Sequence, residues 1–150
     1  RPRHGCMANF RSLLVPLFLA GSTIAAVLIG GCVGDNPAPQ DRINRTVPPA
    51  EASALIEEMK QDPTFVIIDV RRSDEYAGGH IPGAINIDSA HLSEHLESLD
   101  RDGTYLLCCQ RGGRSAGARE VMEKAGFENV YEVKGGMSAW RAAGLPVTGV

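Results

Sequence analysis

Residues 105–115 read YLLCCQRGGRS, and this stretch decides the fold more than any other part of the chain. It begins as a short apolar run, reaches Cys109 and continues into a loop with two glycines and two arginines. The following residues, 114–125, have the pattern of a helix that Gly126 would end. In α/β proteins, ligands bind where a strand of the sheet ends and the next helix begins. The stretch therefore predicts both an α/β fold and the position of its site.

The same alternation of strands and helices extends outward on both sides of this loop. Phe65–Asp69 and Thr104–Cys108 are short apolar runs, typical of strands that are buried on both faces. Further strands are predicted at 45–47, 84–87 and 129–133, and further helices at 50–60, 89–99 and 138–143. Ser89 is the expected N-cap of its helix. The order predicts a mostly parallel sheet with helices on both faces.

The loop after Cys109 favours a reactive thiolate. Unpaired N–H groups at a helix start carry partial positive charge, and Arg111 and Arg114 add two full charges. Both effects should lower the pKa of the Cys109 thiol. Gly112 and Gly113 allow the backbone to curl so that its N–H groups face an anion. These residues predict a nucleophilic sulfur that meets a small anionic substrate.

Four blocks of sequence, taken in order, resemble the rhodanese-like family over about the last hundred residues. They are Asp69-Val70-Arg71, YAGGHIPGA at 76–84, Cys109-x-x-Gly112-x-Arg114-Ser115 and Gly135-Gly136-Met137-x-x-Trp140. The resemblance implies a rhodanese-like α/β fold and a sulfurtransferase. Its cysteine would take the outer sulfur of thiosulfate or another persulfide donor, and pass it to cyanide or a thiol. It implies no cofactor and no metal.

The resemblance also implies roles for individual residues. Cys109 would be the nucleophile, and the loop would bind the persulfide and the departing sulfite. The loop residues are Gln110, Arg111, Gly112, Gly113, Arg114 and Ser115. Arg111 would orient the thiosulfate. Arg114 would either do the same or, as we favour, pair with Asp69 and brace the loop.

Three residues are interpreted as structural support for this site, namely Asp69, Arg71 and His80. His80 is favoured as a hydrogen-bonding residue over a general base, because a thiolate that the helix already stabilises needs no base.

The sequence leaves two other functions open. Counted from Cys108, the pattern Cys108-x5-Arg114-Ser115 matches cysteine phosphatases and arsenate reductases. Against this, Cys108 continues the apolar strand, and Leu107 stands where such phosphatases often have histidine. Cys108 is favoured as a core residue, although a resolving thiol or a disulfide with Cys109 would also fit. The second alternative is a binding module without catalysis.

A third pattern is His91-x-x-Glu94-His95, which matches a zinc-peptidase motif. No third ligand is evident nearby, and zinc is usually held by at least three protein ligands. A solvent-exposed helix face is therefore the favoured interpretation.

The N-terminal part differs in charge from the rest of the chain. Residues 1–48 contain five arginines and two aspartates, whereas residues 49–150 contain ten basic and sixteen acidic residues. The overall charge of -3 argues against a nucleic-acid partner. Residues 12–31 are uncharged, and they lie between Arg11 and Cys32. This pattern resembles a bacterial lipoprotein signal that is cleaved before Cys32, where the lipid is attached.

These features predict three regions: an export signal at 1–31, a Pro-rich tether at 32–44 and the rhodanese-like domain at 45–150. An uncleaved membrane helix and free secretion are the alternatives, and Met7 is a candidate start of the chain. The expected location is the bacterial cell envelope, with the domain anchored to a membrane and facing the periplasm or exterior.

Overall fold

In the computed structural model, the described part of the chain is residues 43–149. The predicted signal at 1–31, the lipid site Cys32 and the tether up to residue 42 lie outside the described residues. Among residues 43–149, no helix combines the length and the apolar character that crossing a membrane requires.

Five parallel strands form one sheet in the order β1-β5-β4-β2-β3. The strands are β1 (Ile43–Val47), β2 (Phe65–Asp69), β3 (Ile85–Asn86), β4 (Thr104–Cys108) and β5 (Asn129–Val133). The helices are α1 (Pro49–Met59), α2 (Ser73–Ala77), α3 (Leu92–His95), α4 (Gly113–Lys124) and α5 (Gly136–Ala142), with a 3-10 turn at Leu96–Ser98. The prediction of a parallel α/β sheet is confirmed.

Helices cover both faces of the sheet. Residues of α1 and α5, such as Ala52 and Trp140, pack in one core cluster, while residues of α3 and α4, such as Leu92 and Met122, pack in the other. Side chains alternate along β4, because successive residues of a strand point to opposite faces. Cys108 therefore joins the first cluster and Cys109 joins the second.

Some predicted bounds need correction at the edges. β1 begins at Ile43, so two residues assigned to the tether belong to the sheet, where Asn44 Oδ1 accepts a hydrogen bond from Val130 N at 3.1 Å. Ser89 does not cap a helix. Asp88 instead accepts a hydrogen bond from the N–H of Ala90 at 3.0 Å, and the resulting turn delays the start of α3 to Leu92. The short helix α2 was not predicted.

His91 and His95 do not share a helical face, because His91 precedes the first residue of α3. His91 Nδ1 lies 3.3 Å from Glu94 Oε1, and both side chains are mostly exposed. Within residues 43–149, no three metal-binding side chains of histidine, cysteine, aspartate or glutamate come close enough to hold an ion.

Candidate active site

The loop between β4 and α4 wraps around the sulfur of Cys109. Gly112 has a φ of 98°, a left-handed conformation that a glycine adopts without strain, and it lies immediately before α4. Its N–H donates a hydrogen bond to Cys109 Sγ at 3.1 Å. The hydroxyl of Ser115 lies 3.5 Å from the same sulfur and 3.0 Å from the carbonyl oxygen of Gly112. The Gly112 N–H thus points at the sulfur, and the Ser115 hydroxyl lies within reach of both the sulfur and the Gly112 carbonyl oxygen.

These donors change the acidity of Cys109. Burial of the side chain would raise the pKa, but hydrogen bonds from Ser115 and from the N–H groups of Arg111 and Gly112 outweigh it, so the pKa lies below the ordinary thiol value. Cys109 is 1% exposed and lies at the floor of an open depression. The remaining lining residues are Gln110, Arg111, Gly113 and Arg114.

Cys108 is excluded from this depression. It is fully buried, and its side chain packs on the opposite side of the sheet with residues such as Ile67 and Met137. Burial raises the pKa of its thiol, with further contributions from Asp69 and Cys109. Both cysteines are free thiols. This burial argues against the alternative that starts the loop at Cys108, because the loop donors surround Cys109 and the Cys108 thiol lies on the other face of the sheet.

The two loop arginines have different surroundings. Arg111 is exposed, and its side chain has no hydrogen bond or ion pair within residues 43–149. Arg114 forms a two-pronged ion pair with Glu75, in which Nη1 and Nη2 lie 2.7 and 2.8 Å from the two carboxylate oxygens. The hydrogen bond from Arg114 lowers the pKa of Glu75 to about 2, despite partial burial. The predicted Arg114–Asp69 pair is wrong.

Asp69 is already paired with Arg71, two residues further on. Both side chains are 1% exposed, and Arg71 Nε and Nη2 lie 2.9 and 2.6 Å from the carboxylate oxygens. Arg71 Nη1 donates to Gln110 Oε1 at 3.3 Å, and Gln110 Nε2 donates to Ser138 Oγ at 3.0 Å. Hydrogen bonds through the side chain of Gln110 therefore connect the buried Asp69–Arg71 ion pair to Ser138 on α5.

The backbone of α5 also supports the loop. Met137 N donates to the carbonyl oxygen of Cys109 at 2.7 Å, and Ser138 N donates to that of Gln110 at 3.1 Å. This close approach requires Gly136, because a Cβ there would lie 2.9 Å from Arg111 N and closer still to Cys109 O. The Gly135-Gly136 pair noted in the sequence thus sets the distance between α5 and the loop.

His80 lies in the segment between α2 and β3 and forms structural contacts. Its ring stacks on Tyr76 with 3.7 Å between centroids, and its Nδ1 donates to the carbonyl oxygen of Tyr76 at 3.0 Å. Its backbone pairs with Thr148 through two hydrogen bonds of 2.9 and 3.0 Å. These contacts hold the residues around Thr148 against His80. Hydrogen bonding of this kind is what the sequence analysis favoured for His80.

Sequence reasoning missed two residues of this site. Glu75 was not recognised as the partner of Arg114, although it is one of two acidic residues that open α2. Ser138 was not recognised as a contact of Gln110, and a single exposed serine gives no sequence signal.

Fold and site together define a class: an open parallel α/β domain with a cysteine of lowered pKa in the loop before a helix. Comparison with known families agrees. The chain belongs to the rhodanese-like domain family, whose model matches residues 49–143.

Individual relatives are consistent with this assignment. The thiosulfate sulfurtransferase GlpE of Pseudomonas fluorescens is 32% identical over 97 residues, which are 65% of this chain and 84% of that protein. The crystal structure of a rhodanese-related protein from Thermoplasma volcanium is 31% identical, with a TM-score of 0.60 over 71% of this chain and 99% of that one. A Rhodopseudomonas palustris protein of unknown function, described as a possible tyrosine phosphatase, is 28% identical, with a TM-score of 0.61 over 69% and 84% of the two chains.

Proposed function

We propose that this protein is a sulfurtransferase that carries sulfane sulfur as a persulfide on Cys109. The observation that carries the proposal is the position of the loop donors: the Gly112 N–H donates to Cys109 Sγ at 3.1 Å, and the Ser115 hydroxyl, which also reaches the carbonyl oxygen of Gly112, lies 3.5 Å from the same sulfur. They favour the thiolate before substrate arrives, and a thiolate is the nucleophile that attacks sulfur. The name of the GlpE relative supports thiosulfate as a donor.

The reaction needs two displacements. The Cys109 thiolate attacks the outer sulfur of thiosulfate, a new S–S bond forms, and the old S–S bond breaks so that sulfite leaves with its electron pair. The enzyme then holds a persulfide anion, which the loop N–H groups stabilise. Cyanide or a thiolate attacks the outer sulfur in the second step and restores the Cys109 thiolate. Arg111, which has no partner within residues 43–149, is placed to orient the dianionic donor.

Mass spectrometry of the protein after exposure to thiosulfate tests this proposal. We expect a gain of one sulfur atom at Cys109, released as thiocyanate when cyanide is added. Cys109→Ser should abolish both signals, while Cys108→Ser is the matched control and should retain them. An intact, reduced Cys109 that gains no sulfur from thiosulfate or a small persulfide would contradict the proposal. Hydrolysis of an aryl phosphate or reduction of arsenate would then favour the phosphatase or arsenate-reductase alternatives, and no activity would favour a binding module.

We also propose that the domain is held in the bacterial cell envelope by lipid on Cys32. The support is the uncharged stretch 12–31 that ends in two glycines before this cysteine. A diacylglyceryl group together with an amide-linked chain anchors a protein firmly, whereas one acyl chain does not. Metabolic labelling with palmitate should mark the wild type and the Cys6→Ser control but not Cys32→Ser. Equal labelling of all three proteins would contradict the lipid site.

A further inference from the structure

Several charged side chains near the Cys109 loop form ion pairs, whereas Arg111 forms none with the described residues. Glu75 binds Arg114 through both carboxylate oxygens. Arg72, which lies 3.7 Å from Glu75, also lies 3.3 Å from Asp74. The charges of these four side chains therefore sum to zero, and Arg114 is the one of them that lines the depression. Arg111 is the exposed cation left over, with no ion-pair partner among residues 43–149.

We infer that Glu75 sets the charge preference of the Cys109 site by cancelling the charge of Arg114, so that Arg111 alone recognises the anionic group of the donor. The geometry supports this, since the two hydrogen bonds to Glu75 hold the guanidinium of Arg114 in one orientation and place a full negative charge directly against it. As applied to sulfur donors, the inference rests on the proposed function. The part of the inference that concerns the electric field at Cys109 does not depend on the proposed function.

The pair is well placed to hold Arg114 in this orientation. Glu75 and Arg114 side chains are 22% and 36% exposed, so the contact is partly shielded from water. Asp88 adds a second negative charge that acts on Arg114. Removing the carboxylate of Glu75 would leave Arg114 free to face the depression, and the charge near Cys109 would become more positive by one unit.

Alkylation of Cys109 measures this charge without any sulfur transfer. Iodoacetate and iodoacetamide have nearly the same size, but only iodoacetate carries a negative charge. In the full-length protein, the rate of each reagent at Cys109 is followed by mass spectrometry of the peptide. A unit charge about 4 to 10 Å away changes such a ratio roughly two- to fivefold in water. We expect Glu75→Gln to raise the iodoacetate-to-iodoacetamide ratio by this factor at low salt, and added salt to reduce the effect.

Variants with opposite expected signs separate charge from folding. Arg114→Gln leaves the Glu75 carboxylate without its partner and should lower the ratio. The double variant Glu75→Gln/Arg114→Gln removes both charges and should return the ratio to the wild-type value. Glu75→Asp retains the charge and should leave the ratio near wild type. Glu57→Gln makes the same chemical change in an exposed pair with Lys60 on α1, and is the matched control.

Two sulfur donors extend the test to the reaction. Thiosulfate is a dianion, whereas methanethiosulfonate has a methyl group in place of one oxygen and is a monoanion. Glu75→Gln should shift the ratio of their kcat/KM values toward thiosulfate by a similar factor. If Glu75→Gln slows both alkylating reagents equally, Glu75 only holds the loop and the inference is wrong. If the alkylation ratios behave as expected but neither donor transfers sulfur, the inference stands and the proposed function fails.

Discussion

Gly136→Ala should separate the loop from α5 and reduce reactivity at Cys109. The Cβ of an alanine there would lie 2.8 Å from the carbonyl carbon of Gln110, and closer still to the carbonyl oxygen of Cys109. An ordinary contact begins near 3.4 Å, so the loop backbone must move by at least about 0.6 Å. Both contacted groups are backbone and cannot rotate away. The clash must therefore displace the loop or α5.

Two contributions to the free energy of unfolding can be estimated. Gly136 has a φ of 58°, and a left-handed conformation costs an alanine about 1–2 kcal/mol. Forcing extra atoms into a packed region adds about 1–3 kcal/mol. Gly144→Ala is the matched control, because its φ is 68° but an added Cβ meets nothing within 4 Å. The free energy of unfolding of Gly144→Ala should fall only by the cost of the left-handed conformation, about 1–2 kcal/mol.

Urea unfolding and alkylation of Cys109 measure the two effects. We expect Gly136→Ala to unfold at lower urea than Gly144→Ala and, where both are folded, to react at Cys109 more slowly. The physical reason is that displacing the loop weakens the hydrogen bond from the Gly112 N–H to Cys109 Sγ, which lowers the fraction of the reactive thiolate. Equal stability and equal reactivity of the two variants would refute the reasoning that α5 positions the loop.

Three further predictions concern other parts of the molecule. Asp69→Asn leaves the buried guanidinium of Arg71 without a counter-charge, so urea unfolding should show a loss of about 3–5 kcal/mol, and a loss below about 1 kcal/mol would contradict a buried ion pair. Gly117→Ala places a methyl group in open space on α4 and should raise the free energy of unfolding by about 0.5–1 kcal/mol, whereas a decrease would show that the site is crowded. The pKa of Glu75 is lowered in the folded protein, so its ion pair stabilises above the unfolded value near 4.5 and is lost as pH falls toward about 2. The stability difference between wild type and Glu75→Gln should therefore be constant above pH 5 and shrink below it, and a difference that grows in acid would be inconsistent.

The sequence predicted the centre of the sheet better than its edge. The bounds of β2, β4 and β5 are as predicted, because strands between two neighbours are buried and their apolar runs record this. β3 pairs with β2 over only two residues. Beyond that pairing, the side-chain amide of Asn86 donates to the carbonyl oxygens of Asp69 and Arg71 at 2.9 and 2.7 Å. The side chain of Asn86 thus supplies hydrogen bonds that backbone N–H groups of a longer strand would otherwise supply. An apolar sequence pattern does not reveal such a contact.

The loop around Cys109 was predictable because its properties are local. A strand end, two glycines and a helix start lie within ten residues, and together they place the N–H groups around Cys109. The partners of its arginines depend on segments far along the chain, since Glu75 and Arg114 are 39 residues apart. The spacing of residues within the loop therefore does not predict which distant residue pairs with Arg114.

One argument from the sequence could still have excluded the Arg114–Asp69 pair. Asp69 ends a buried strand, and Arg71 follows two residues later, just beyond that strand, so continued alternation places both side chains on the same face. A buried carboxylate and a buried guanidinium that lie side by side must neutralise each other, because either charge alone is too costly to bury. Asp69 therefore already has an ion-pair partner in Arg71, and Arg114 must pair with a different acidic residue. With Glu75 in that role, Arg111 is the loop arginine whose side chain has no partner among residues 43–149.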